Sequence, residues 1–200
     1  MTETLEQKVA RVLRDHIELV PPDPAWPRQF EEEKARLLAC LPPGLVVRVE
    51  HFGSTSIPGI WAKPVVDMLV EVADLDRARE EAIPTLEGLG YDGFWRPQSG
   101  GATPPHYPWF IRRGPGGERT HHIHMTVADS TLWEGLVFRD YLRAHPDAAA
   151  DYERLKRDLL ARHPGDRVAY TRGKSEFLRG IADRAEAERR RRDRVPPEKG

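Results

Sequence analysis

A single cysteine, Cys40, leaves the chain without the makings of an intrachain disulfide framework and fits a reducing compartment. Cys40 falls in an apolar helical stretch, where a buried, inert thiol is expected ahead of a nucleophile. No apolar run approaches the ~20 residues a membrane helix needs. Met1 to Gln7 is acidic and polar, with no basic segment leading into an apolar core, so no signal peptide is read. Neither charge is in excess, with 31 Lys and Arg against 32 Asp and Glu, and no global field draws the chain to nucleic acid or membrane. The expectation is a cytoplasmic protein without a membrane partner. Nucleic acid is expected to make at most weak contact, through the basic tail around Arg189 to Arg192.

What is present is enough for one domain with appendages: 200 residues, 39% hydrophobic and 32% charged. Leu5, Val9, Val12 and Leu13 recur at helical spacing between Thr4 and Asp15, which predicts a helical arm over residues 1–16. Ile17 to Val20 reads as an edge strand that Pro21-Pro22-Asp23-Pro24 ends, since proline cannot donate to a ladder. The main domain is read over 17–187. It begins with a helix from Ala25 to Leu41, carrying an apolar stripe of Trp26, Phe30, Leu37, Leu38 and Leu41, with Pro27 tolerated in its first turn. Strands follow at Leu45 to Phe52 and Val65 to Val72, the second apolar enough to be central. Asp74 predicts the cap of a helix that Gly90 ends.

Tyr91 to His106, rich in Gly, Pro and aromatics, reads as a mobile loop bordering the site. Gly114-Pro115-Gly116-Gly117 joins Tyr107 to Arg113 and Thr120 to Val127 as a hairpin. Helices are expected from Ser130 to Arg143, from Pro146 through Leu160, and from Gly173 to Ala187. Residues 188–200 read as a basic, disordered tail.

Two places carry chemistry. In His51-Phe52-Gly53-Ser54-Thr55-Ser56-Ile57-Pro58-Gly59, the glycines free the backbone to turn amides inward and the three hydroxyls add donors, a pattern suited to phosphate. The alternative is a plain turn. Of Glu50 and His51, which alternation puts on opposite faces, His51 is the one expected to look into the site. Next, Asp67 stands in a buried strand where Val or Ile belongs, and a lone buried carboxylate calls for a partner or a metal. His122 and His124 share one face of a strand with Cα atoms ~7 Å apart, close enough to meet one ion if a third ligand comes from a neighbouring strand. Asp67 is that ligand in one reading; in the other, one histidine is a hydrogen-bonded core residue and the other is solvated. Trp95, Tyr107, Trp109 and Phe110 either stack on a base or cover the sheet.

Four pieces together resemble the GrpB family: Asp23-Pro24-Ala25-Trp26-Pro27 with Phe30-Glu31, the His51-to-Gly59 loop with Lys63-Pro64-Val65-Val66-Asp67, His122-Ile123-His124, and Phe138-Arg139-Asp140-Tyr141-Leu142-Arg143 leading to Tyr152 and Leu155-Lys156. The resemblance runs from about Ile17 to Ile181. It implies an α+β fold, a nucleotidyltransferase-like mixed β-sheet with helices packed on it and a helical C-terminal part. It also implies a Gly53-Ser54 turn for nucleotide phosphates and Asp67 for a divalent metal.

The wider superfamily carries a second acid two residues after the first, and here that position is Leu69. Glu71 shares the face but lies ~13 Å along the strand. The hypothesis is that His122 and His124 stand in for the missing acid. The family also occurs fused to dephospho-coenzyme A kinase, but no GKS or GKT phosphate loop occurs in this chain.

The expected function is a nucleotidyltransferase-like enzyme that takes a nucleoside triphosphate and a divalent metal, Mg or Mn with Zn as the alternative, to an acceptor the sequence does not name. Asp67, Lys63 and Arg139 are the catalytic candidates; Gly53, Ser54, Thr55, Ser56 and His51 hold phosphate; Asp67, His122 and His124 hold metal. Lys63 is otherwise a solvated loop charge, and Arg139 a structural ion pair. The alternatives are a non-catalytic nucleotide- or anion-binding module of the same fold, or a His/Asp metal-dependent phosphoester hydrolase. The partner in each case is a nucleotide or another phosphate-bearing small molecule. The oligomeric state is left open.

Overall fold

The computed structural model describes residues 4–98 and 102–194. Helices α1 (Leu5–Arg14) and α2 (Trp26–Cys40) precede strands β1 (Val46–Phe52) and β2 (Val66–Val72). A continuous helical stretch follows, α3 (Leu75–Arg77), a π-turn (Ala78–Ala82) and α4 (Ile83–Gly88), and then strands β3 (Asp92–Pro97), β4 (His106–Arg113) and β5 (Arg119–Thr126). Helices α5 (Glu134–Ala144), α6 (Pro146–Arg162), α7 (Arg167–Arg172) and α8 (Ser175–Arg194) complete the chain. This is an α+β architecture with a mixed five-stranded sheet and a helical C-terminal part. No helix among the described residues is long and apolar enough to cross a membrane.

The strand order is β1-β2-β5-β4-β3, and β2 with β5 is the parallel pair among antiparallel ones. Alternation gives the sheet two faces of different character. One face carries Val49, Val66, Met68, Val70, Phe110, Ile123 and Met125 into the main core, closed by Trp26, Phe30 and Leu37 of α2 and by Ala78, Ala82 and Leu86. An acid, Glu33 of α2, is fully buried on this side. It accepts from the Tyr91 hydroxyl at 2.5 Å and from Arg112 Nη1 at 2.5 Å, so its charge is answered inside the core.

The other face is covered in two parts with a gap between them. Val12 of α1 packs on Phe94, Tyr107, Trp109 and Ile111 of β3 and β4. At the far edge α5 lies along β1, where Gly135 lets the Phe52 ring come so close that a Cβ would stand 3.1 Å from it. The C-terminal helices close over the β1–β2 loop through Ile57, Ile60, Leu142, Tyr152 and Ile181. The middle of this face is left to polar residues of β2 and β5.

Several expectations are corrected. Ile17 to Val20 forms no strand; Val20 makes one isolated bridge to Ala62, and Ile17 is a core residue against Leu159 and Tyr170. The stretch from Tyr91 is not all loop: β3 occupies Asp92–Pro97 at the sheet edge, where Pro97 is tolerated because its missing N–H costs no ladder bond. Gly100 and Gly101 of that stretch lie outside the described residues. The arginines from 189 to 192 fall on α8, and residues 195–200 of the expected tail lie outside the described residues.

The arm is bonded to the sheet by charge. Asp15, just past α1, accepts from Arg113 Nη2 at 2.9 Å and Arg119 Nε at 2.6 Å, while Arg11 makes a bidentate pair with Asp92. Arg119 is buried, so Asp15→Ala strands a guanidinium in the interior and is expected to cost about 3 kcal/mol in urea unfolding. Lys8→Ala, which removes the more exposed pair with Glu87, is expected to cost under about 1 kcal/mol in the same measurement.

Candidate functional site

The parallel register of β2 and β5 places Asp67 beside His122 and Leu69 beside His124. All four share the half-covered face. Asp67, His122 and His124 each offer a ligand atom, and those atoms lie within 4.8 Å of one another. The constellation expected from strand alternation is thus brought together, and His124 lies beside Leu69 in the parallel register.

Asp67 is held from two sides. Its Oδ1 accepts from His122 Nδ1 at 2.9 Å. Its Oδ2 lies against Gly53, whose φ of 70° is the left-handed region that favours glycine, and a Cβ at that position would stand 2.4 Å from Oδ2. The glycine therefore serves close approach of the turn to the carboxylate. Burial pushes the Asp67 carboxyl up, but the His122 hydrogen bond and the neighbouring His122, Lys63 and His124 bring it down to about 2.

The histidines stay neutral. Burial lowers His122 to about 4 and His124 to about 3, against the attraction of Asp67 in both cases. Arg119 Nη1 lies 3.3 Å from His122 Nε2. A guanidinium only donates, so Nε2 is the acceptor and Nδ1 carries the proton that Asp67 accepts. A buried chain results, Asp15 to Arg119 to His122 to Asp67, linking α1 to the site. His124 Nδ1 is 3.1 Å from the Tyr107 hydroxyl, its ring stacks near Tyr107 at 5.6 Å, and Phe52 meets it edge-on at 5.3 Å. Trp109 packs at 5.4 Å from His122, and its Nε1 is buried without a hydrogen-bond partner among the described residues.

This donor set fits a divalent ion of mixed nitrogen and oxygen preference: one ionised carboxylate and two neutral imidazoles, one of them oriented by a tyrosine hydroxyl. Asp67, His122 and His124 would hold such an ion, and binding through His122 Nδ1 would need its proton on Nε2 and Arg119 released from that nitrogen.

The remaining predicted residues divide. Ser54, half-buried, has a hydroxyl with no protein partner among the described residues. Thr55 Oγ1 donates to Val65 O at 3.2 Å and lies 3.0 Å from His51 Nε2; Ser56 Oγ donates to Gly53 O at 2.6 Å. Both hydroxyls shape the turn. His51, expected to face the site, is on the opposite face: it pairs with Met68 in register, stacks on Phe30 at 4.9 Å, and is lowered to about 4 by burial. The face of Asp67 takes Glu50 and Phe52 instead.

Arg139 holds α5 to β1, donating through Nη1 to Glu50 Oε2 and His51 O and through Nε to Asp140. Lys63 is half-buried rather than a solvated loop charge, with no hydrogen bond or ion pair among the described residues. Of the aromatics, Tyr107 and Trp109 line the site, Phe110 is in the main core, and Trp95 stacks on His106 at the β3 edge. Leu69 is fully buried, and Glu71 is engaged by Arg48 at 2.8 Å. Sequence reasoning misses Arg119 and Asp15. Simple alternation puts Arg119 on the other face, and a register shift between Arg112 and Arg113 lets its side chain reach His122.

A family model described as GrpB protein matches residues 16–184. The chain is 42% identical over 175 residues to the UPF0157 protein PA4798 of Pseudomonas aeruginosa, covering 86% of this chain and 68% of that one. It is 36% identical over 171 residues to the UPF0157 protein YqkA of Bacillus subtilis, of whose length it spans 47% while 84% of this chain is covered. A solved structure, the conserved protein GrpB from Enterococcus faecalis, superposes with a TM-score of 0.73 at 33% identity, covering 86% of this chain and 98% of that chain.

Two outcomes follow from the buried groups. The unfolded chain takes up protons on His51, His122 and His124 near pH 6.5, whereas the folded chain refuses them until pH falls to about 4 or 3. Stability is therefore full above pH 6.5 and is lost on acidification, by up to about 1.4 kcal/mol per pH unit for each histidine. Urea midpoints from pH 7.5 to 4.5 read this slope, and His51→Gln should reduce it. Gly53→Ala forces Cβ into Asp67 and strains the turn, so a loss of about 1–3 kcal/mol is expected in the same assay. Gly59→Ala should lose less, because a Cβ there meets open space and only the positive φ is at stake.

Proposed function

We propose, for a chain that belongs to the GrpB family, that the cleft of Asp67, His122 and His124 is the centre of a nucleotidyltransferase-type enzyme. Its substrate is a nucleoside triphosphate taken with a divalent metal, Mg or Mn, or Zn given the two nitrogen donors. The observation that carries this reading is the convergence of one ionised carboxylate and two neutral imidazoles within 4.8 Å, beside a glycine turn that packs on the carboxylate.

A bound divalent ion supplies Lewis-acid polarisation of a phosphoryl oxygen and neutralises charge developing on it. The residues of the chain do the rest. Asp67 stays ionised through the acid range because His122 donates to it, and that bond fixes the orientation of the carboxylate. Tyr107 sets the His124 ring. Gly53 lets the turn approach, and the Ser54 hydroxyl, without a protein partner among the described residues, is available to donate to a phosphate oxygen. Lys63 supplies positive charge on the side of the pyrophosphate leaving group. Arg139, committed to Glu50, His51 O and Asp140, is a positioning residue that keeps α5 against the turn.

A second reading is favoured by Leu69. A fully buried apolar side chain occupies the second-acid position, and the same fold without that carboxylate suits a nucleotide-binding module that performs no transfer. The two readings separate in one experiment. The purified protein is incubated with MnCl2, ATP and a deproteinised metabolite extract as the pool of acceptors, and bound Mn, bound nucleotide and released pyrophosphate are measured. Transfer is supported by pyrophosphate release that drops at least ~100-fold in Asp67→Asn. Nucleotide retained without pyrophosphate moves the assignment to the binding module. Absence of Mn binding overturns the metal centre in both. Tyr107→Phe removes the orienting hydroxyl from His124 and is expected to weaken Mn about tenfold while leaving the fold intact.

A further inference from the structure

Four cations gather on the C-terminal side of the cleft. Lys63 precedes β2, Lys156 lies on α6, Arg167 opens α7, and Lys174 sits between α7 and α8. Two of them meet at the buried ring of Tyr170: Lys63 Nζ is 5.9 Å and Lys174 Nζ 5.0 Å from its centroid. Lys156 is fully buried, donates to Trp61 O and lies 4.8 Å from the Tyr152 centroid. Arg167 donates through Nη2 to Asp15 O at 3.3 Å, and its Nε is buried with no partner among the described residues.

None of the four has a carboxylate at ion-pairing distance among the described residues. The acids whose charge reaches them are bonded elsewhere, Asp67 to His122, Asp15 to Arg113 and Arg119, and Glu153 to Trp61 N and Arg157. Other cations of this chain are paired by contrast, Arg113 and Arg119 with Asp15 and Arg139 with Glu50. Burial and mutual repulsion leave both Lys63 and Lys156 at about 7, with Lys174 the leading charge acting on each. Like charges held together without a counter-charge oppose folding, and an anion that enters among them relieves the repulsion.

We infer that Lys63, Arg167 and Lys174, backed by the buried Lys156, form a subsite for a condensed phosphate, the pyrophosphate or triphosphate end of the ligand whose reacting phosphoryl group lies at Asp67. Several cations contributed by separate segments suit an anion of several linked phosphoryl groups better than a single orthophosphate. Arg167 offers a donor that the described residues leave unused, and the lysines offer mobile point charges that follow the chain of oxygens. The inference rests on the reading of the cleft as a phosphate-handling site, but it needs neither metal nor turnover.

The test is therefore run in EDTA. Inorganic tripolyphosphate, orthophosphate and ATP are titrated into the full chain by calorimetry, with thermal unfolding followed in parallel. Tripolyphosphate is expected to bind, orthophosphate to bind far more weakly, and ATP to bind at least as well as tripolyphosphate if the nucleoside is also held. Lys174→Met should weaken tripolyphosphate about tenfold and Arg167→Gln likewise, while Lys174→Arg keeps binding. Without ligand, Lys174→Met should melt at or above the wild-type temperature, since it removes repulsion. The subsite is overturned if wild type does not bind tripolyphosphate, if Lys174→Met binds it equally, or if Lys174→Met melts lower than wild type. Tripolyphosphate binding together with no pyrophosphate release from MnATP in the presence of the acceptor pool overturns the transferase reading and leaves the subsite standing.

Discussion

The structure depends on keeping one carboxylate charged inside an apolar strand. Asp67 occupies a position between Val66 and Met68, both fully buried, and although its side chain is 26% exposed, its buried sides must be answered. The answers come from distant parts of the chain. His122 donates to one oxygen, Gly53 gives up a side chain to make room for the other, and Arg119 fixes which nitrogen of His122 bears the proton. Asp15 then balances Arg119, and the N-terminal helix is tied to the sheet by the same contact. Removing any link leaves a charge in the interior, so the site and the fold are stabilised by one network rather than two.

That network explains why the sheet has one dry face and one divided face. The first is mostly apolar, closed by α2 and the helical stretch over 75–88, with Glu33 answered inside it by Tyr91 and Arg112. The divided face is covered at its edges, by α1 on β3 and β4 and by α5 at β1, and its middle carries Asp67, His122 and His124. Leu69 belongs to this middle but is fully buried, so the polar groups of the face come from Asp67 on β2 and from the two histidines on β5.

Much of this arrangement is legible in the sequence. The period-two pattern around Asp67 and around His122 and His124 assigns their faces, and the α+β order of strands and helices follows from hydrophobic periodicity. His51 is misplaced by sequence because its face is inferred from Gly53, and Gly53 turns with a positive φ that ends the alternation; the register with Met68 is what decides it. Arg119 escapes notice because a local shift in pairing with β4 breaks the count by which its face is read. The strand β3 is hidden by Gly93 and Pro97, residues that an edge strand tolerates and a central strand does not. Asp15 carries no local signal at all, since its partners lie 98 and 104 residues away.

The parallel pairing of β2 with β5 has a consequence for the history of the chain as it folds. Asp67 and His122 are 55 residues apart, and the ladder that sets them side by side closes only after the intervening helix and the β3–β4 hairpin partner have been passed. Contacts of such long range are made late, because loop closure must be paid before they reward it. A chain with α2, β1 and β2 already formed has the glycine turn and the acid but neither imidazole. Partly folded molecules therefore lack the assembled cleft, and only completed molecules hold all three side chains together. The pairing of β2 with β5 is the seam of the sheet that local structure cannot hold shut, and the three side chains mark its closure.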